Sequence, residues 1–159
     1  QIMMMSLDRR RTPDEQPSKV LNMDTWAAYE VPRQRLLARL RGLNNVVVLT
    51  GDEHQNFAGQ LFDRDRPVAA EFVATSISSG GDGMDMRRDN EFLLRNNADQ
   101  LKFINSQRGY VTCEVTPQEW RTHFMVVDRV STPGGQLSRR ATATVPHGRA
   151  ELAVDAAAP

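Results

Sequence analysis

The sequence predicts a mixed α/β (α+β) chain, with a helix-then-strand unit in its first third and an antiparallel β meander toward its C-terminus. Three observations carry this reading. In PRQRLLARLRGL, Leu36, Leu37, Leu40 and Leu43 fall on one helical face with arginines on the other. Val46 to Leu49 then form the short, bounded apolar run of a buried strand. From Gly109 onward, Tyr110 to Val115 and Trp120 to Val130 alternate about Thr116-Pro117, and Pro133-Gly134-Gly135 turns the chain before Leu137 to Val145.

Taken in order, Ile2 to Leu7 reads as a strand with Met3 to Met5 as core filler. Asp8 to Lys19 is charged, holds two prolines and reads as a surface loop. Val20 to Glu30 mixes turn formers with Trp26 and Tyr29. Pro32 suits the first turn of the following helix, and Gly42 its end. A helix leading directly into Val46 to Leu49 places that strand inside a sheet. Phe57 to Phe62 and Val68 to Ile77 read as further strands around the turn DRDRP, the second rich in β-branched and small residues. Ser78 to Gly83 is a small-residue loop, and Met84 to Lys102 a polar excursion with a short helix over Asn90 to Asn97.

The chain has 159 residues, enough for one domain with a substantial core, read here as residues 1–150 with a loose tail over 151–159. Twenty basic residues balance twenty acidic ones, so no global field draws in nucleic acid or an anionic membrane. No apolar run approaches the roughly 20 residues that span a bilayer. The first residues lack the charged-then-apolar order of a signal peptide, and an uncapped apolar start at Gln1 reads as a chain entered inside a fold. Cys113 is the single cysteine, which excludes an internal disulfide; in the alternating YVTCEVT it is expected as a buried thiol.

The stretch richest in chemistry is NVVVLTGDEHQNF. A strand broken by Thr50-Gly51 delivers Asp52 and His54 at a sheet's carboxyl edge, and a carboxylate with an imidazole suits a hard or borderline cation. Two donors do not close a site, and neither a Cys pair nor an HExxH spacing supplies the others. On spacing alone, a histidine bonded to backbone explains the pattern equally well. The loop from Ser76 to Gly83 either turns backbone N–H groups toward an anion or simply connects two elements. Trp26 and Tyr29 line a pocket or anchor a loop, Arg108 is a candidate anion contact, and His123 and His147 read as structural and solvated. No GxSxG elbow supports acyl transfer.

Several stretches together resemble one family. NMDTWAAY with PRQRLL, VVVLTGDEHQNF, AEFVATSISSGGDG and INSQRGYVTCEVTPQEWRTHFMVVD are similar, in order and spacing, to the C-terminal half of the PhoD-type alkaline phosphatases, and QIMMMSLD to the strand ahead of their tryptophan loop. The resemblance runs from Gln1 to about Val130 and lies in the ordered set. It implies part of a four-layer αββα metallophosphatase sandwich of the calcineurin-like kind. It also implies an exported phosphomonoesterase or phosphodiesterase, periplasmic or extracellular, that uses iron with calcium, other divalent metals being possible. By this match Asp52 and His54 are metal ligands, with His54, the catalytic candidate, alternatively meeting the phosphate; Asp24, Trp26 and Tyr29 match the aromatic loop and Ser76 and Ser78 the loop near the active site, with Asp24, Trp26, Ser76, Ser78 and, from its own donor chemistry, Arg108 on the substrate side.

The partners implied are a phosphate ester and the N-terminal half of the same enzyme. Metals at the loop ends would polarise the phosphoryl group and activate a hydroxide or oxide for in-line attack. Two departures stand out. Ala27-Ala28 replaces the Asp-Gly usual between the family's Trp and Tyr, and the earlier carboxylate, cysteine and tyrosine ligands fall outside this stretch, Cys113 lying in the wrong segment. The alternative reading is a degenerate, non-catalytic domain that supports a partner chain.

Overall fold

The computed structural model describes residues 1–16 and 22–157. The expectations for residues 17–21 and 158–159 lie outside the described residues. Two four-stranded sheets stack face to face. The first runs in the order β1-β3-β2-β4, with β1 at Val47–Thr50, β2 at Asn56–Asp63, β3 at Arg66–Val73 and β4 at Leu101–Asn105. The second is a meander, β5-β6-β7-β8, from Arg108–Val115 through Glu119–Val127 and Leu137–Pro146 to Ala153–Ala156. β1 lies parallel to β3, and every other pairing is antiparallel.

Helices α1, Glu30–Leu40, and α2, Arg88–Asn96, cover the outer face of the first sheet together with the N-terminal segment. A core of Met3, Met4, Met5, Leu37, Phe57, Val73, Leu93 and Ile104 fills that layer. Between the sheets, Phe124 meets Phe103 at 4.9 Å and Phe72 edge-on at 6.5 Å. Ala58, Ala70, Ala141 and Ala143 let the two backbones approach around those rings. The described residues thus supply three layers: helices, mixed sheet, antiparallel sheet. None of their helices is long and apolar enough to cross a membrane.

Several expectations change. Ile2 to Leu7 joins no sheet, although Met3 to Met5 are buried, because the amides of Met4 and Met5 bond the Glu71 carboxylate, each at 2.7 Å, in place of a neighbouring strand. β1 is an edge strand among the described residues: the β2–β3 hairpin leaves room beside β3 for only one neighbour, and Leu49 on β1 is 53% exposed. In α1, Arg33 turns inward to the Met4 carbonyl while Leu36 faces solvent, and the helix ends at Leu40 so that Leu43 lies beyond it and is exposed; the apolar stripe is narrower and shorter than the spacing implies.

The excursion before residue 102 hides β4, whose inward side chains are buried although Lys102 and Asn105 interrupt the apolar run. Cys113 is exposed: it lies on edge strand β5 opposite Thr122 of β6, and no neighbouring element among the described residues covers it. The expected loose tail contains β8, bonded to β7 and anchored by Leu152 in the inter-sheet core. Its alanines and Val154 bury little, but backbone pairing does not need large side chains.

Candidate functional site

The site is built at the carboxyl end of β1. Gly51 donates its N–H to the Gln1 carbonyl at 2.8 Å, and Glu53 N–H to the Gly51 carbonyl at 2.9 Å, so the chain turns sharply. Asp52 at φ 70° and His54 at φ 52° both occupy the left-handed region. That conformation costs a non-glycine residue on the order of 1–2 kcal/mol and concentrates at functional positions. The strain alternates the side chains. Glu53 turns back to pair with Arg9 at 3.0 Å, while Asp52 and His54 are exposed and bond nothing among the described residues.

The opposite rim is the loop from Thr75 to Gly83. Arg108, at the start of β5 and 3% exposed, reaches under it: Nη1 donates to Ser76 Oγ and to the Ser79 carbonyl, both at 2.9 Å, and Nη2 donates to the Ser106 carbonyl at 2.5 Å. Ser76 Oγ passes its own proton to the Ser79 carbonyl at 2.7 Å. Burial, with Arg87 nearby, holds the Arg108 guanidinium below its ordinary value. Asp82 fixes the far side, accepting from Val130 N–H at 2.6 Å and from Ser131 N–H and hydroxyl, each at 2.7 Å. The Ser131 hydroxyl is the main reason its carboxyl sits below the usual range. The loop is therefore tied on two sides, by Arg108 from beneath and by Asp82 to residues 130 and 131.

Beneath both loops runs a chain of amides. Asn56, fully buried at the start of β2, accepts from Thr75 N–H at 3.1 Å and donates to Asn105 Oδ1 at 3.1 Å. Asn105 donates at 2.8 Å to Asp85, which pairs with Arg140 on β7. Arg140 also holds the Asp85 carboxyl below its ordinary range. Glu71 on β3, absent from the sequence reading, is buried beneath Thr50 and accepts its hydroxyl at 3.2 Å. Burial pushes Glu71 up to about 7, against the pull of the Met4 and Met5 amides, Thr50 and Arg33. A lone acid in an alternating strand gives no sign of its role; only sheet pairing shows that position 71 faces the core.

The expected residues separate into groups. His54 and the Ser–Gly loop meet at Gly80: a Cβ built there would lie 3.8 Å from His54 Nδ1 and 3.6 Å from Arg108 Nη1. Asp52 is two residues from His54 on the same turn. Ser76 is committed to Ser79 and Arg108, Ser78 is exposed, and the two Nη atoms of Arg108 are spent on the chain itself. Trp26 opens a single 3-10 turn, Trp26–Tyr29, and its N–H reaches the Met3 carbonyl at 3.3 Å. Asp24 is exposed, and no hydrogen bond or ion pair joins either residue to Asp52 or His54 among the described residues. His123 bonds Thr142 at 2.9 Å across the second sheet, a structural position.

No group of three or more His, Cys, Asp or Glu side chains converges for a metal among the described residues. Asp52 and His54 fit a cation as two uncommitted donors of the right chemistry, and leave the remaining positions to other groups.

A stacked-sheet α/β frame that presents an unpaired carboxylate and imidazole at a strand's carboxyl edge belongs to the broad class of loop-edge sites. More particularly, the PhoD-like phosphatase family matches residues 1–124, and the chain belongs to that family. It is similar to alkaline phosphatase D of Bacillus subtilis (strain 168), with 42% identity over an alignment of 132 positions that covers 79% of this chain and 22% of that protein. A solved structure of PhoD superposes on 99% of this chain with a TM-score of 0.88 at 34% identity, using 31% of its own length. The chain therefore spans less than a third of the length of these relatives.

Proposed function

We propose that this chain supplies the closing part of a metal-dependent phosphate-ester hydrolase acting on monoesters, diesters or both. The observation that carries the proposal is the pair Asp52 and His54, both strained, exposed and without partners among the described residues, on one turn. A protein keeps such strain where a ligand repays it. In this reading Asp52 and His54 hold metal, iron with calcium by family, and the remaining ligands and the fourth, helical layer come from the part of the relatives that this chain does not span. When bound, the metals supply Lewis-acid charge to the phosphoryl group and lower the pKa of water.

The chain's own residues do the rest. His54, held against Gly80, ligates metal or meets a phosphate oxygen. Ser78 keeps an exposed hydroxyl on the rim, Ser76 shapes that rim from below, and Asp24 and Trp26 belong to the outer substrate side. The location proposed by family is periplasmic or extracellular. The family's usual Asp-Gly is Ala27-Ala28 here, which favours a second reading: a domain that has lost catalysis and supports a partner chain.

One experiment separates the two readings. The chain is prepared alone and joined to the segment of the Bacillus relative that it does not span, then loaded with iron and calcium and assayed on aryl phosphate mono- and diesters. The joined protein is expected to retain metal and hydrolyse the esters, and Asp52→Ala and His54→Ala are each expected to reduce both. A joined protein that folds, holds no metal and hydrolyses nothing would sink the enzyme reading.

A further inference from the structure

Arg108 is buried without a carboxylate partner among the described residues, and its Nε finds no acceptor there. A guanidinium withdrawn from water in this way is costly unless its donors are matched by geometry. Here the fork is matched on both Nη atoms, to Ser76 Oγ, the Ser79 carbonyl and the Ser106 carbonyl. Those acceptors bracket the Ser–Gly loop. The loop closes on the same guanidinium at its other end: a Cβ at Gly83 would lie 1.9 Å from the Ser106 oxygen and 3.0 Å from Arg108 Nη2, at φ +74°. Between these fastenings Gly80, at φ +89°, separates the guanidinium from the His54 ring. His54 has no hydrogen-bond partner of its own among the described residues, so the orientation of its ring depends on what it packs against.

We propose that Arg108 is a positioning residue of the site: a buried clamp that fixes the Ser76–Gly83 loop so that Gly80 sets the orientation of the His54 imidazole. The inference rests on the reading of His54 as a functional group, and it reassigns Arg108 from anion contact to framework. Its specific content is that the fork matters rather than the charge. A lysine keeps the cation and cannot hold three acceptors in two directions.

The test uses the full chain as wild type, Arg108→Lys, Arg108→Ala, Ser76→Ala and Gly80→Ala. NMR follows the ring resonances of His54, with His123 and His147 as internal reporters of an intact fold, and hydrogen exchange follows the amides of residues 79–83. Arg108→Lys and Arg108→Ala are both expected to shift the His54 signal and to speed exchange in the loop at least tenfold, with His123 and His147 unmoved. Ser76→Ala, which removes one acceptor, is expected to give a smaller change of the same kind, and Gly80→Ala to move His54. If Arg108→Lys behaves as wild type while Arg108→Ala does not, charge suffices and the clamp is wrong. The proposal also falls if inorganic phosphate shifts the Arg108 Nε–H signal of the wild type and Arg108→Lys retains that binding. These readouts need no metal and no hydrolysis, so a failed assay of the joined protein would leave the clamp result standing and overturn only the proposed activity.

Discussion

Residues 51–55 and residues 76–83 lie side by side at Gly80 and are held in opposite ways. The first loop leaves Asp52 and His54 strained and without partners among the described residues, while Glu53 pairs with Arg9 and Gln55 accepts from the Ser106 hydroxyl at 2.9 Å. The second is fixed from below by Arg108 and from its far side by Asp82, with glycines at φ +89°, +75° and +74° where the chain turns. In the proposed reading, the loop that would offer ligands has its donors free among the described residues, whereas the loop that sets their surroundings has its polar groups spent. Stability and function should therefore separate between the two.

Substitution in the second loop tests this most severely. Gly83→Ala combines a forbidden approach to the Ser106 oxygen with left-handed backbone, and is expected to cost about 3 kcal/mol, read as a lower urea midpoint. Glu71, beneath Thr50 at the root of the first loop, gives the next effect. Its folded value of about 7 lies above the ordinary 4.5, so the stability it contributes is full below about pH 4.5 and is lost as pH rises through about 7. The difference corresponds to roughly 3 kcal/mol at most. Urea midpoints of wild type should fall across that window, and Glu71→Gln should flatten the fall; an equally steep fall in the variant would show that another group is responsible.

Smaller effects belong to the first loop. Asp52→Gly and His54→Gly should each raise stability by roughly 0.5–1 kcal/mol by relieving left-handed strain, while weakening calcium binding by the joined protein as measured by calorimetry. A loss of stability on either change would mean that these side chains have partners and would erase the contrast. Smallest is Asp82→Asn. Because Ser131 and Val130 hold the Asp82 carboxyl below its ordinary range, its contribution is present above the usual carboxylate value and disappears as pH falls through its lowered folded value. Wild type and Asp82→Asn should thus converge in hydrogen-exchange protection at acid pH and differ at neutral pH.

Much of this was legible in the chain. The leucines of α1, the valines of β1, the DRDRP hairpin and the alternation of β5 to β7 each follow from local periodicity, which needs only near neighbours. Asp52 and His54 were visible because strand, glycine, acid and histidine stand in a row. The clamp was not, since Arg108 lies 32 residues from Ser76 and only the order of strands brings them together. Local pattern also mistook the N-terminal segment for a strand, because Met3 to Met5 are as apolar as a strand and their amide partner, Glu71, is 66 or 67 residues away.

The sequence by itself indicated α1, β1, the β2–β3 hairpin and β5 to β7, the family motifs and the Asp52-x-His54 pattern, because each depends on residues close together in the chain. Tertiary structure alone decided which polar groups are spent and which are free. Glu71, Asn56 and Asp82 read as ordinary polar residues, and Arg108 as an anion contact, until packing removes water from Arg108, Asn56 and, beneath the N-terminal segment, Glu71, and places Asp82 against residues 130 and 131. Desolvation and long-range pairing are properties of the packed chain, and they set the Asp-x-His turn beside a loop whose polar groups are already spent.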